Sequence, residues 1–99
     1  MSQRQRHRLP NRRANEAYCF EHDGHKYRAT AGRFSNGDLA EIFLDVSRSG
    51  SALQLNAEAA AILTSLALQH GVPSETMRRA LNGPIAIALD HFSKSEAAL

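Results

Sequence analysis

Apolar residues along this chain follow two rhythms, and the change from one to the other near residue 50 divides it. Tyr18 and Phe20 alternate with Cys19 and Glu21, and Tyr27, Ala29 and Ala31 alternate with Lys26, Arg28 and Thr30. Ala40, Ile42, Leu44 and Val46 then alternate with Leu39, Glu41, Phe43 and Asp45. A period of two predicts strands with unlike faces. Asp23-Gly24 and Asn36-Gly37 separate the runs. Both are turn signals, because tight hairpins need positive φ and glycine supplies it without a Cβ clash. Three consecutive strands joined in this way make an antiparallel meander.

After Gly50 the spacing becomes helical. Leu55, Ala59, Ile62, Leu63, Leu66 and Ala67 recur on one side of a helix, which Gly71 stops and Pro73 follows. Pro73 also suits the start of a second helix, which carries Met77, Ala80 and Leu81 and ends at Asn82-Gly83. Pro84 opens a third, with Ile85, Ala88, Leu89 and Phe92 on one side. A three-stranded sheet has a face to cover, and these helices supply the cover. The expected fold class is α+β: a three-stranded antiparallel β-meander followed by two to three helices packed on one sheet face. Its expected core is Tyr18, Phe20, Ile42, Leu44, Ile62, Leu63, Leu66, Leu81 and Leu89.

Ninety-nine residues with 42% apolar composition make one small domain with one modest core. Residues 1–14 lack periodicity and read as a flexible basic arm, 15–93 as the domain and 94–99 as a frayed tail. No apolar run spans a membrane, and the basic N-terminus lacks the apolar stretch of a secretory signal. A single cysteine, Cys19, excludes an internal disulfide framework and fits a cytoplasmic location.

Charge divides the chain unevenly. Arg4, Arg6, Arg8, Arg12 and Arg13 give the first thirteen residues +5 with no acid, leaving seven basic against ten acidic residues, −3, in the remainder. Such an arm serves either as a solubilising tail or as an electrostatic contact for nucleic acid. The loop Arg48-Ser49-Gly50-Ser51 precedes a helix and offers free N–H groups, hydroxyls and a cation to an anion. It lacks the lysine and glycine spacing of a phosphate-binding P-loop, and a serine that caps the helix is the plainer reading.

No catalytic group emerges. Cys19, His22 and His25 have the spacing C-x-x-H-x-x-H, but strand alternation sends Cys19 and His22 to opposite sides and no fourth ligand is evident, so no metal is expected. His70 falls where a helix C-terminus favours a cation. No carboxylate pair or activated serine is placed for acid–base or nucleophilic work, and no cofactor is implied.

Three stretches taken together carry a resemblance: Leu39-Ala40-Glu41-Ile42-Phe43; Gly50-Ser51; and Ser65-Leu66-Ala67-Leu68 with Gly71-Val72-Pro73. With the closing Ile85-Ala86-Ile87-Ala88-Leu89, the chain resembles the TSCPD domain, a small module near the C-terminus of vitamin B12-dependent (class II) ribonucleotide reductases that also occurs as short stand-alone proteins. The family's cysteine-bearing motif is replaced here by about Asn82-Gly83-Pro84, so a metal or redox role drawn from those cysteines does not carry over. Reductase catalysis does not carry over either, since it needs a large barrel with a radical cysteine and a cobalamin site. The resemblance implies a reductase-related accessory or regulatory binding module that is not an enzyme by itself and docks on a protein partner or on a second copy. The alternative is a nucleic-acid-associated module acting through the arm. A homodimer is expected through the far sheet face, where Leu39 and Phe43 flank Glu41, or through an unpaired sheet edge.

Overall fold

The computed structural model describes residues 15–47 and 51–97. Three strands, β1 (Asn15–His22), β2 (His25–Arg33) and β3 (Leu39–Val46), form an antiparallel sheet in the order β1-β2-β3. Three helices follow: α1 (Ala52–Gln69), α2 (Ser74–Ala80) and α3 (Pro84–Ala97). The α+β meander expected from the two rhythms is the observed architecture.

The turns form where their chemistry places them. His22 pairs with His25 across Asp23-Gly24, and both turn residues have positive φ, 54° and 79°. The second connection is longer: Gly37 N–H donates to the Phe34 carbonyl at 2.9 Å and Phe34 N–H to that of Asp38 at 2.8 Å. Asn36 Oδ1 accepts from Asp38 N–H at 3.0 Å, an Asx-type contact that fixes the loop. Beyond it the register shifts between Gly32 and Arg33. Gly32 meets a close approach: a Cβ there would lie 2.6 Å from Glu41 Oε2.

Cross-strand pairing gives each sheet face its residues. Tyr18 and Ala29 with Leu44, Phe20 and Tyr27 with Val46, and Ala31 with Ile42 point to one side. There Ile85, Ala88, Leu89 and Phe92 of α3 are buried with them. Phe92, Ala88 and Leu89 are fully buried, as are Ala29, Ala31 and Ile42. Arg33 ties this layer to the loop: its guanidinium donates to Glu16 on β1, to the Phe92 carbonyl at 3.0 Å and to the Gly37 carbonyl at 3.1 Å. The helix α3 continues past Ser93 to Ala97.

The expected core needs correction on α1 and α2. Ile42, Leu44 and Leu89 are buried, and Tyr18 and Phe20 pack against the core from its margin. Ile62 and Leu63, however, are 57% and 67% exposed, and Leu66 and Leu81 also reach solvent. The face that α1 buries is instead Ala57, Ala61, Thr64 and Leu68. These are mostly small side chains, and small side chains let a helix lie close to a strand. Among the described residues, the large apolar side chains on the other side of α1 are left largely uncovered.

Candidate functional site

The helix α1 begins and ends on side-chain and backbone caps. Ser51 Oγ accepts from Gln54 N–H at 3.1 Å, so this serine of the anion-loop candidate serves as the helix N-cap. Its companions Arg48, Ser49 and Gly50 lie outside the described residues, as do Arg4, Arg6, Arg8, Arg12 and Arg13. At the other end, Gly71 N–H donates to the Leu68 carbonyl and Val72 N–H to that of Ala67, the paired bonds of a Schellman stop. His70 Nδ1 lies 2.8 Å from the Leu66 carbonyl, which places this histidine on the helix C-terminus as its position in the sequence implies.

Between those caps α1 lies along the outer edge of β3. Ser65 is the key contact. Its Oγ accepts from Ile42 N–H and donates to the Ile42 carbonyl, both at 2.9 Å. One turn on, Gln69 Nε2 donates to the Ala40 carbonyl at 3.2 Å. Two side chains at i, i+4 spacing thus occupy backbone groups that an edge strand would otherwise offer to a neighbour. Leu39 and Glu41 are buried as well. The grounds for pairing two copies through the β3 edge, or through a far face bearing Leu39, are removed; Phe43 alone of that set is about half exposed.

What α1 turns outward is an apolar stripe. Leu55, Ala59, Ile62 and Leu66 follow one another at intervals of four, three and four residues, with Leu63 on their flank. Leu55 is 65% exposed. Of the eighteen residues of α1 only Glu58 is ionisable, and its carboxylate accepts from Gln54 Nε2 at 2.9 Å. A helix exposed on a monomer normally carries charge on its water face. Near-absence of charge over residues 52–69 is the signal in the sequence that sets this face apart from an ordinary solvated helix surface.

Other features carry chemistry of their own. A hollow of about 640 Å³ lies between the Phe34–Asp38 loop and the end of α1, lined by Asn36, Asp38, Leu68 and Pro73 among others. On α3, Asp90 receives Arg78 Nη1 and Lys94 Nζ, each at 3.1 Å. Its carboxyl is held below its ordinary value, first by the Lys94 hydrogen bond and then by Arg78, against the opposing effect of partial burial. His91 beside it stacks on Tyr18 at 3.7 Å between ring centroids. The Tyr27 phenol is pushed up by burial and, less, by the Asp23 charge. Cys19 is exposed on the opposite sheet face from Tyr18 and Phe20, and among the described residues no three His, Cys, Asp or Glu side chains gather as metal ligands do. No described helix is long and apolar enough to cross a membrane.

A small α+β module with a close-packed edge helix and an uncovered outer face is thus the class of protein that the fold defines. The sequence profile of the TSCPD domain matches residues 3–92, and the chain belongs to that family. Its similarity to vitamin B12-dependent ribonucleotide reductases is local. It is 40% identical to the enzyme of Agrobacterium fabrum over 72 residues, 73% of this chain and 6% of that protein. Against the Bradyrhizobium diazoefficiens reductase it is 39% identical over 70 residues, 71% of this chain and 6% of the relative. Against that of Streptantibioticus cattleyicolor it is 38% identical over 71 residues, 72% of this chain and 12% of the relative. The chain therefore spans only a small fraction of the length of these curated relatives. No solved structure matches it significantly.

Proposed function

We propose that this chain is a non-catalytic accessory module of the vitamin B12-dependent ribonucleotide reductase system, acting by docking on protein rather than by turning over substrate. The supporting observation is how the similarity is distributed: most of this chain aligns with about one-seventeenth of a reductase. A segment of that size folds as one sheet and three helices around a single core. Such a core has no volume for a barrel with its radical and cobalamin chemistry. The surface assigned to the reductase is the open sheet face. There Cys19, Arg28 and Asp45 lie in register across the three strands, all exposed, with Phe43 beside them. A mixed apolar and charged face of this kind suits a partner that comes and goes.

The test uses a vitamin B12-dependent reductase from which its own TSCPD module has been removed. The chain alone, supplied with adenosylcobalamin, reductant and ribonucleotide, is expected to form no deoxyribonucleotide. Added to the truncated reductase, it is expected to bind at micromolar concentration and to change turnover, with Arg28→Glu weakening binding about tenfold or more. Deoxyribonucleotide formed by the chain alone, or no binding at about 100 µM, overturns the reading.

A further inference from the structure

We infer that the outer face of α1 is a self-association surface on which a second copy of this chain docks through its own α1, antiparallel and related by a two-fold axis. The inference starts from spacing. Leu55, Ala59, Ile62 and Leu66 are separated by four, three and four residues, a sequence of intervals that reads the same in both directions. Two such stripes laid antiparallel match themselves: Leu55 meets Leu66 of the second copy, Ala59 meets Ile62, and each pair occurs twice. The small Ala59 near the middle lets the two backbones approach, and Leu63 closes the flank. An isologous pair needs just this self-matching surface, and intervals of four and three are those of helices packed side by side.

Charge points to the same occupant. The described α1 carries one ionisable side chain, Glu58, which is set off the stripe and hydrogen-bonded to Gln54. A nucleic acid or a charged peptide gains nothing from such a face, whereas a second uncharged stripe leaves no ion desolvated. Area is sufficient. With Leu55, Leu63 and Ile62 more than half exposed and Leu66 at 38%, the stripe leaves roughly 300–400 Å² of apolar side chain in water, as large as the main patch of a typical monomer. That is about half of the ~800 Å² that each partner contributes to a standard interface, the usual share of an interface core inside a polar rim. The opposite face of α1 is taken by β3, so the stripe is the part of the helix still open to a partner.

The inference stands apart from the reductase reading, which uses the sheet face: a dimer that binds no reductase fails only that reading, and a reductase-binding monomer fails only this one. Sedimentation velocity of the whole chain is expected to give a dimer at about 50 µM. The dimer should be indifferent to salt between low and high ionic strength, because no ion pair holds it. Leu63→Asp and Ile62→Ser, both at exposed positions, are expected to weaken dimerisation at least tenfold while circular dichroism and melting of the monomer stay unchanged. In a Cys19→Ser background, Leu55→Cys combined with Leu66→Cys is expected to give a disulfide-linked dimer on oxidation, and either cysteine alone to give little. A wild-type monomer at that concentration overturns the inference. So does a dimer unaffected by Leu63→Asp, or one linked by either single cysteine as readily as by the two together.

Discussion

The helices α1 and α3 are both amphipathic, and they are built the opposite way round. In α3 the large residues Ile85, Leu89 and Phe92 face the sheet, and the outer side carries Asp90 and Lys94. In α1 the sheet side is Ala57, Ala61, Thr64 and Leu68, and Leu55, Ile62, Leu63 and Leu66 are outside. The inner set of α1 has the same intervals of four, three and four as the outer one, so α1 has two stripes of one period on nearly opposite sides. What differs is size. The α3 stripe fills a volume over the sheet face. The inner stripe of α1 stays thin so that Ser65 and Gln69 can reach the backbone of β3. A hydrophobic stripe therefore does not by itself say which side of a helix its own sheet covers.

The strongest test of this contrast is Phe92→Ala. Phe92 is fully buried against the sheet, and its loss should cost roughly 3–5 kcal/mol in chemical denaturation, a large part of the stability of a domain this small. A cost under about 1 kcal/mol would mean that α3 is not the core helix. Ser65→Ala comes next. It removes the hydroxyl that serves both the N–H and the carbonyl of Ile42, and unpaired groups there should cost about 1–3 kcal/mol. Hydrogen exchange at the Ile42 amide should rise in the same variant, and unchanged exchange would remove Ser65 as the contact that holds α1 to the strand.

Leu66→Ala separates the two stripes directly. The sequence places Leu66 in the core, where the change would cost about 2–5 kcal/mol. At its observed exposure of 38% the monomer should lose only about 1 kcal/mol or less. A core-sized loss, measured in a dilute sample, would restore the face that the sequence suggests.

The smallest effect concerns the charged outer side of α3. Asp90 has its carboxyl held low by Lys94 and Arg78. A group depressed in the folded state adds stability above its unfolded pKa and loses it as pH falls through the folded value. Melting of wild type and Asp90→Asn should therefore differ slightly and evenly at neutral pH and converge below about pH 4. A gap that persists in acid would mean that Asp90 acts through packing rather than charge.

Much of this was legible in the sequence. The alternation of Tyr18 to Val46 and the Asp23-Gly24 turn specify the meander, because strand period and turn chemistry are local. Pro84 and the apolar residues after it specify α3, because Ile85, Ala88, Leu89 and Phe92 fall on one side and Asp90 and Lys94 on another. For Ile62, Leu63 and Leu66 the sequence points to the wrong face of α1, because its two stripes are equivalent in period and size alone favours the larger side chains inside. The small residues beside Ser65 are the clue that decides it, since a hydroxyl at that position serves a strand edge only at close range. Among the anion-loop candidates, Ser51 caps α1; Arg48, Ser49, Gly50 and the five arginines of the arm lie outside the described residues.

The hydroxyl and amide that α1 sets against β3 also govern how these molecules can grow into larger assemblies. A sheet with two open borders can add neighbours without limit, each new strand exposing another border. Here the β3 border is occupied by Ser65 and Gln69, and among the described strands β1 has β2 as its only neighbour. Any strand-to-strand joining is left with β1 meeting β1, a match that uses up both borders at once. Joining by strands alone then stops at a pair, so a single turn of helix limits how far the sheet itself can grow past this border.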